Sequence, residues 1–573
     1  MVTRRLLTAV VVLVLGLALA PEAGAHALVT STSPTRGAAL EKEPERVVLR
    51  FSEAVETSFG AVRVFDAKGR RVDTGATGRP SASSVSARLR PGLADGPYTA
   101  TYRVVSSDSH PVSGGFTFTV GESGGASAAS VADLVDSGGP GMATTTAFQA
   151  VRAVGYAAIA IVVGGLLFLL VVWAPGFRAV ADGDDSWRRA AEAMTGRVRR
   201  LVVVAAGAGA LAAVLGVVLQ GATASGTSFT GALDGQVLHD VLATRFGRAW
   251  TGRLAAFALV GLALTLPAAA RRPVPRWLLA LPLGYLVVAP ALSGHAGATD
   301  QLLLVPSDVV HVAAMSAWVG GLVMLVFALP RATRALAPPD RTAVLAQCVT
   351  RFSTVALVAV AALVVTGVIQ SVVQLDAFSD LWSSAFGRAV LVKTALLLVL
   401  LGLGAYNRQR TRPQLVERAR AGETPGATGL RLRRAIRAEV ALLAAVLVAA
   451  GALVGYSPTA GSAAAGPFSA NENLGPARLE LTVDPARVGA NEIHLYLFDR
   501  RTGAQYDRAK ELTVSASLPA KRIGPLSLAA RKTGPGHYTV RGASLVPAGD
   551  WVLAVESRVS AFDAFDAKVE VPV

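Results

Sequence analysis

Cysteine is almost absent from this chain. One residue, Cys348, in 573 excludes an internal disulfide framework and any thiolate metal cluster. Only five methionines and seven histidines are present, so a metal centre here is small and built from few ligands. Charge is sparse too. Asp, Glu, Lys and Arg make up 16% of the residues against 52% hydrophobic, too apolar for a soluble protein of this length. The net charge of +16 does not point to nucleic acid, because the basic residues fall in short clusters between apolar runs, the positive-inside pattern of membrane proteins. No Gly-x-x-x-x-Gly-Lys loop and no Asp-Lys-Thr phosphorylation motif lies between those runs, which argues against an ATP-driven pump. The chain is expected to be no enzyme.

The amino-terminal 25 residues read as a secretory signal peptide. Arg4 and Arg5 precede an apolar run from Leu6 to Ala20, and Ala23-Gly24-Ala25 follows the helix breaker Pro21. Cleavage after Ala25 would make His26 the new terminus, offering its α-amine and Nδ1 to a metal. Without cleavage, His26 is an ordinary loop residue.

Residues 26–121 alternate apolar and polar positions, as in Val47-x-Leu49-x-Phe51 and Phe116-x-Phe118-x-Val120, with turn residues between. They predict a β-sandwich or Greek-key barrel. A Gly/Ser/Ala-rich linker covers 122–145. A membrane domain over 146–457 follows, with eight apolar segments near 148–174, 199–222, 249–270, 276–294, 306–329, 352–374, 387–406 and 436–456. A helix of about 20 residues spans the roughly 30 Å hydrocarbon layer. Arginines crowd the odd-numbered loops between them, which places those loops inside and both mature termini outside. A second linker, 458–466, leads to an extracytoplasmic β-sandwich over 467–573, where Leu479-x-Leu481-x-Val483 and Trp551-x-Leu553-x-Val555 alternate.

The membrane domain carries an internal repeat. Phe246-Gly247-Arg248-Ala249 with Arg253 matches Phe386-Gly387-Arg388-Ala389 with Lys393. Val163-Gly164-Gly165-Leu166 echoes Val319-Gly320-Gly321-Leu322, and Gly216 with Gln220 echoes Gly367 with Gln370. Helices 1–4 and 5–8 are therefore expected to be parallel halves about a pseudo-twofold along the membrane normal.

Two places invite metal chemistry. Asp108 and His110, two apart on an extended segment, point to one side. With the amine and Nδ1 of a terminal His26 they supply three nitrogens and one carboxylate oxygen, a tetragonal set preferred by Cu(II); Zn(II) favours a tetrahedron. Taken alone, Asp-x-His also suits a solvated turn. In the membrane domain, Asp308, His311, Met315 and Trp318 follow i, i+3, i+7, i+10 on one face of the fifth helix. An ionisable residue inside a span is costly and thereby a functional candidate. His311 together with His295 could receive copper, and Met315 is a soft ligand suited to Cu(I); the alternative is that His311 bonds a neighbouring helix and Met315 only packs. Lys393 is expected to snorkel or to pair with Asp376 or Asp380. His494 reads as a structural surface residue.

Residues 26–121 resemble CopC, the periplasmic copper-binding β-barrel family. The matching residues are His26-Ala27, Ser33-Pro34 with Gly37, Phe51-Ser52-Glu53, Tyr98-x-Ala100-x-Tyr102-Arg103-Val104-Val105-Ser106, and Asp108-x-His110-Pro111-Val112. That resemblance implies Cu(II) held by His26, Asp108 and His110, with Glu53 as partner of the terminal amine. The Met-rich loop that accompanies a Cu(I) site in some members is missing, since residues 26–121 contain no Met. The membrane part resembles CopD through Ser293-Gly294-His295-Ala296, Asp308-x-x-His311, Trp318-x-Gly320-Gly321, Arg388, Lys393 and Asn407-Arg408. The C-terminal domain is similar to YtkA-like domains through Gly536-His537-Tyr538 and Gly549-Asp550-Trp551.

Together these readings imply a copper-binding and copper-transporting protein of a bacterial plasma membrane. Its ligand is the copper ion, its surroundings are the lipid bilayer, and an external copper chaperone or a reductase would be its protein partner. The alternative is membrane-anchored copper sequestration, resistance or sensing without transport. A haem-based metal reductase is disfavoured, because His311 is the one clear intramembrane histidine and bis-His haem needs pairs.

Overall fold

The computed structural model describes residues 29–121, 141–266, 276–294, 303–454 and 468–573, less short stretches at 36–37, 57–60, 107–110, 376–377, 485, 487, 503–504 and 561. The expected cleavage site after Ala25 lies outside these residues.

The N-terminal domain is built from β1 (Val29–Ser33), β2 (Ala39–Leu40), β3 (Arg46–Phe51), β4 (Val55–Glu56), β5 (Val62–Phe65), β6 (Asp73–Ser81), β7 (Ser84–Leu89), β8 (Gly96–Ser106) and β9 (Pro111–Val120). One sheet runs β1-β3-β7-β6; the other runs β2-β9-β8-β4, with β5 also on β8. The period-two pattern settles which faces meet. Val47, Leu49 and Phe51 of β3 share one core with Tyr98, Ala100 and Tyr102 of β8 and Phe116 and Phe118 of β9. Phe51 meets Tyr102 edge-on at 5.8 Å, and Tyr98 stacks on Phe118 at 5.5 Å.

The middle of the chain is helical: α1 (Met142–Arg178), α2 (Asp185–Ser225), α3 (Gly235–Ala243), α4 (Arg245–Thr265), α5 (Arg276–Ser293), α6 (Leu304–Ala335), α7 (Pro338–Gln374), α8 (Asp380–Ser383), α9 (Phe386–Arg420) and α10 (Gly426–Leu453). Six of these, α1, α2, α6, α7, α9 and α10, are long and apolar enough to cross a membrane. The sequence predicted eight. The other two sit where spans were expected: α4 carries Arg245, Arg248 and Arg253 within 21 residues, and α5, 18 residues long, has Pro282 and Pro290 inside the helix. Several helices also outrun their apolar windows. The start of α2 continues through the arginine-rich segment because Trp187, Met194 and Val198 are buried there. Hydropathy marks only the lipid-facing stretch of such a helix. Leu281 (82% exposed), Val204 (72%) and Val358 (66%) project from the helices. In water such a surface would aggregate; in lipid it is solvated. The chain is a multi-pass membrane protein.

The repeat is present in three dimensions. In front of α4, Thr244 Oγ1 accepts from the Gly247 amide (3.0 Å) and donates to Val241 O (2.6 Å). In front of α9, Ser384 Oγ accepts from the Gly387 amide (2.8 Å) and donates to Asp380 O (2.7 Å). Both hydroxyls cap a helix start and tie it to the short helix before it. The two Phe-Gly-Arg-Ala motifs thus make one construction twice, and their glycines leave no room for a Cβ. Downstream of the two Gly-Gly pairs, α1 and α6 each widen into a single π turn, Leu169–Trp173 and Met324–Ala328, followed by Pro175 and Pro330.

The C-terminal domain comprises β10 (Phe468–Leu474), β11 (Ala477–Asp484), β12 (Gly489–Asp499), β13 (Glu511–Leu518), β14 (Ile523–Leu528), β15 (Ala530–Gly534), β16 (His537–Leu545), β17 (Asp550–Arg558) and β18 (Ala564–Pro572). Its sheets run β10-β11-β12-β16-β15 and β14-β13-β17-β18. Leu479, Leu481, Ile493, Leu495, Trp551 and Leu553, picked out by alternation, are all fully buried between them.

Candidate functional site

The residues expected to hold metal in the N-terminal domain, His26, Asp108 and His110, lie outside the described residues, and so does His295 of the membrane path. Their neighbours are described, and they converge. Val29, three residues after His26, is paired with Phe51. Ser106, two before Asp108, is paired with Val55, and Val105 with Pro111, directly after His110. Glu53 stands midway between Phe51 and Val55, half-buried. Among the described residues, no group of three or more His, Cys, Asp or Glu side chains is placed to hold a metal ion.

The membrane domain gathers its polar side chains into one layer. Asp308 and His311 sit in the first two turns of α6, Arg253 and Lys393 about two turns into α4 and α9, and Arg152 about three turns into α1. Thr366 and Gln370 lie in the last turns of α7, which runs the opposite way. His311 Nδ1 is 2.8 Å from Thr366 Oγ1, and that hydroxyl spends its one proton on Ala362 O at 2.7 Å. The imidazole must therefore donate from Nδ1, and Nε2 is left as an acceptor with no hydrogen-bond partner among the described residues. Gln370 Nε2 reaches Asp308 Oδ1 at 3.5 Å, and the charges of Lys393 and Arg253 act on the same carboxylate. Arg253 Nη2 donates to Ser293 Oγ at 3.0 Å.

Several expectations change here. The described carboxylate that acts on Lys393 is Asp308, on α6; Asp376 lies outside the described residues. His311 does bond a neighbouring helix, through Nδ1 alone. Met315 is half-buried and packs against the apolar core of the bundle. Thr366, Arg152 and Glu439 went unnoticed in the sequence. Glu439, 5% exposed, accepts from Asn407 Nδ2 at 2.6 Å in the layer near the arginine-rich loops, and Arg408 donates to Ser353 O and Oγ (3.0 and 2.8 Å). A polar side chain inside an apolar span was the available signal for each.

His494 is not on the surface. It is 6% exposed, with Nδ1 3.3 Å from His537 Nε2, and Tyr496 stacks on His537 at 4.2 Å. Register accounts for this: Tyr496 is paired with His537 across β12 and β16, and His494, two residues away, shares their face. Burial, with the charge of Arg541, pushes the His494 pKa down to about 4; burial, with His494 beside it, pushes His537 down to about 3.

Comparison with known proteins accords with these features. Residues 29–121 match the model of the CopC domain, residues 142–305 that of the copper resistance protein D-like N-terminal domain, and residues 346–453 that of copper resistance protein D. A copper transport protein of Bacillus subtilis (strain 168), CutJ, is 28% identical over 535 residues, covering 91% of this chain and 88% of that protein. Copper resistance protein C of Escherichia coli is 33% identical over 123 residues, 19% of this chain and 90% of that protein. The crystal structure of CopC from Methylosinus trichosporium OB3b matches with 33% identity and a TM-score of 0.16, covering 17% of this chain and 93% of that one. With CopC and both parts of CopD in one polypeptide, the chain belongs to the CopC–CopD family of copper resistance and transport proteins.

Proposed function

We propose that this protein takes up copper. The N-terminal domain captures Cu(II) outside the cell through His26, Asp108 and His110, with Glu53 holding the terminal amine, and passes it to the membrane domain. There the ion enters by way of His295 and His311, with Met315 available to Cu(I). All eight helical segments, α4 and α5 included, act as spans, which puts both mature termini and both β-domains outside. The protein works without enzymatic chemistry, beside a copper chaperone or reductase outside the membrane.

The observation that carries this reading is the state of His311. Its Nδ1–H is held by Thr366, and a histidine anchored through one nitrogen presents the other as an oriented metal ligand. Asp308, one turn earlier on the same helix, supplies a carboxylate at the same depth. Sealed vesicles containing the protein should accumulate copper, and His311→Ala should abolish the accumulation. Copper that binds to the vesicle exterior and never crosses would overturn transport and leave sequestration.

A further inference from the structure

The two halves of the membrane domain do not carry the same chemistry. Superposing Gly164 on Gly320 along the sequence puts Arg152 in the place of Asp308 and Gly155 in the place of His311; superposing the Phe-Gly-Arg-Ala motifs puts Arg253 in the place of Lys393. The second half keeps a carboxylate, an imidazole and an amine. The first has two guanidiniums and no acid.

Those guanidiniums share one aromatic pair. Arg152 lies 3.9 Å over the Phe148 ring and Arg253 4.8 Å over the Trp250 ring, while the two rings are 6.2 Å apart. The two guanidiniums therefore stand over neighbouring aromatic rings. Arg253 is 6% exposed and Trp250 3%, and Arg253 Nε and Trp250 Nε1 are both buried with no acceptor among the described residues. Arg152, Arg253 and Lys393 are three formal cations, and Asp308 is the one described carboxylate acting on Arg253 and Lys393. Uncompensated charge and orphaned donors inside a bilayer are both strongly unfavourable, and an anion that accepts hydrogen bonds relieves both at once.

We infer that Arg152, Arg253 and Trp250 form a buried site for a small hydrogen-bond-accepting anion, a halide or a carboxylate. Arg253 Nε and Trp250 Nε1 are its donors, and Arg152 completes the positive field. Bound there, the anion offsets the charge of the polar layer beside which a metal cation would travel. The donors of the site all belong to the first half, while Asp308 of the second half is the carboxylate that shares the field of Arg253.

The test uses the full-length protein in detergent without copper. Thermal unfolding is followed while chloride, acetate or a bulky sulfonate is added at constant ionic strength. Chloride or acetate should raise Tm along a saturating curve, the arm that saturates identifying the anion, and the sulfonate should not. Trp250→Phe, which keeps a ring and loses only the N–H, should raise the midpoint concentration at least fivefold, and Arg253→Gln should abolish the response. Equal effects of all three salts, or a wild-type response in Trp250→Phe, would overturn the site. Should Arg253→Gln fail to fold, Trp250→Phe carries the test. Because no copper is present, the result is independent of copper uptake.

Discussion

Gly164 of α1 and Gly320 of α6 meet face to face and reciprocally. A Cβ at Gly164 would stand 2.9 Å from the Gly320 Cα, and one at Gly320 would stand 2.7 Å from the Gly164 Cα. Gly164 abuts the carbonyl of Ser316, four residues before Gly320, and Gly320 abuts the carbonyl of Ala160, four before Gly164. Equivalent residues touching equivalent residues is what a local twofold between the two halves requires. Close approach of backbones at small residues is also how membrane helices gain packing that the hydrophobic effect cannot supply in lipid.

Gly164→Ala and Gly320→Ala should each destabilise the helical domain by about 1–3 kcal/mol, since the obstructing atoms are backbone and cannot turn aside. Thermal unfolding in detergent measures this. Gly402→Ala, where nothing stands in the way, is the control and should be neutral.

Asp308→Asn should reduce stability, because Lys393 then keeps a buried charge without the one described carboxylate that acts on it. The two charges act on each other without a contact ion pair, so the loss should stay below the about 3–5 kcal/mol of a contacting buried pair. Adding Lys393→Met should recover much of that loss, and the double-mutant cycle in denaturant or heat gives the coupling. A double variant no better than Asp308→Asn would show that the two charges do not interact.

The C-terminal domain should weaken as the pH falls below neutrality. His494 and His537 have folded-state pKa values of about 4 and about 3, below the 6.5 of a free histidine. Between those values the unfolded chain takes up protons that the folded domain refuses, so stability is full above pH 6.5 and declines toward pH 4. At pH 5 the loss is about 2 kcal/mol per histidine. His494→Gln should flatten this limb of the stability-against-pH curve, measured by the near-ultraviolet signal of Trp551.

A carboxylate sets the acid limit of the N-terminal domain. Burial pulls the Asp73 pKa up, but the Arg71 guanidinium at 2.7 Å and the amides of Val64 and Gly75, both at 2.9 Å, outweigh it and leave it below the ordinary carboxylate value of 3.8. The stabilisation is therefore complete above about pH 4 and disappears as pH drops through the folded pKa. Asp73→Asn should cost about 2 kcal/mol at neutral pH and remove that acid dependence, as chemical denaturation at pH 7 and pH 3 would record.

The sequence by itself determined the three-part architecture, the main apolar helices, the core-facing strands with clear alternation, and the doubled construction around Phe-Gly-Arg-Ala. Those features rest on local periodicity: two residues per repeat in strands, long apolar windows in lipid, and a capping hydroxyl ahead of a glycine. Asp308 and His311 were legible because charge inside an apolar span stands out. Partnership was not legible. Which side chain holds His311 Nδ1, which acid Lys393 faces, and that His494 is buried against His537 all depend on helix depth and strand register, set by contacts distant in sequence. The unequal charge of the two halves, by contrast, is read from the sequence repeat. Arg152 and Asp308, 156 positions apart, are already equivalent by the sequence repeat; that Arg152 and Arg253 stand over one aromatic pair is decided only by packing.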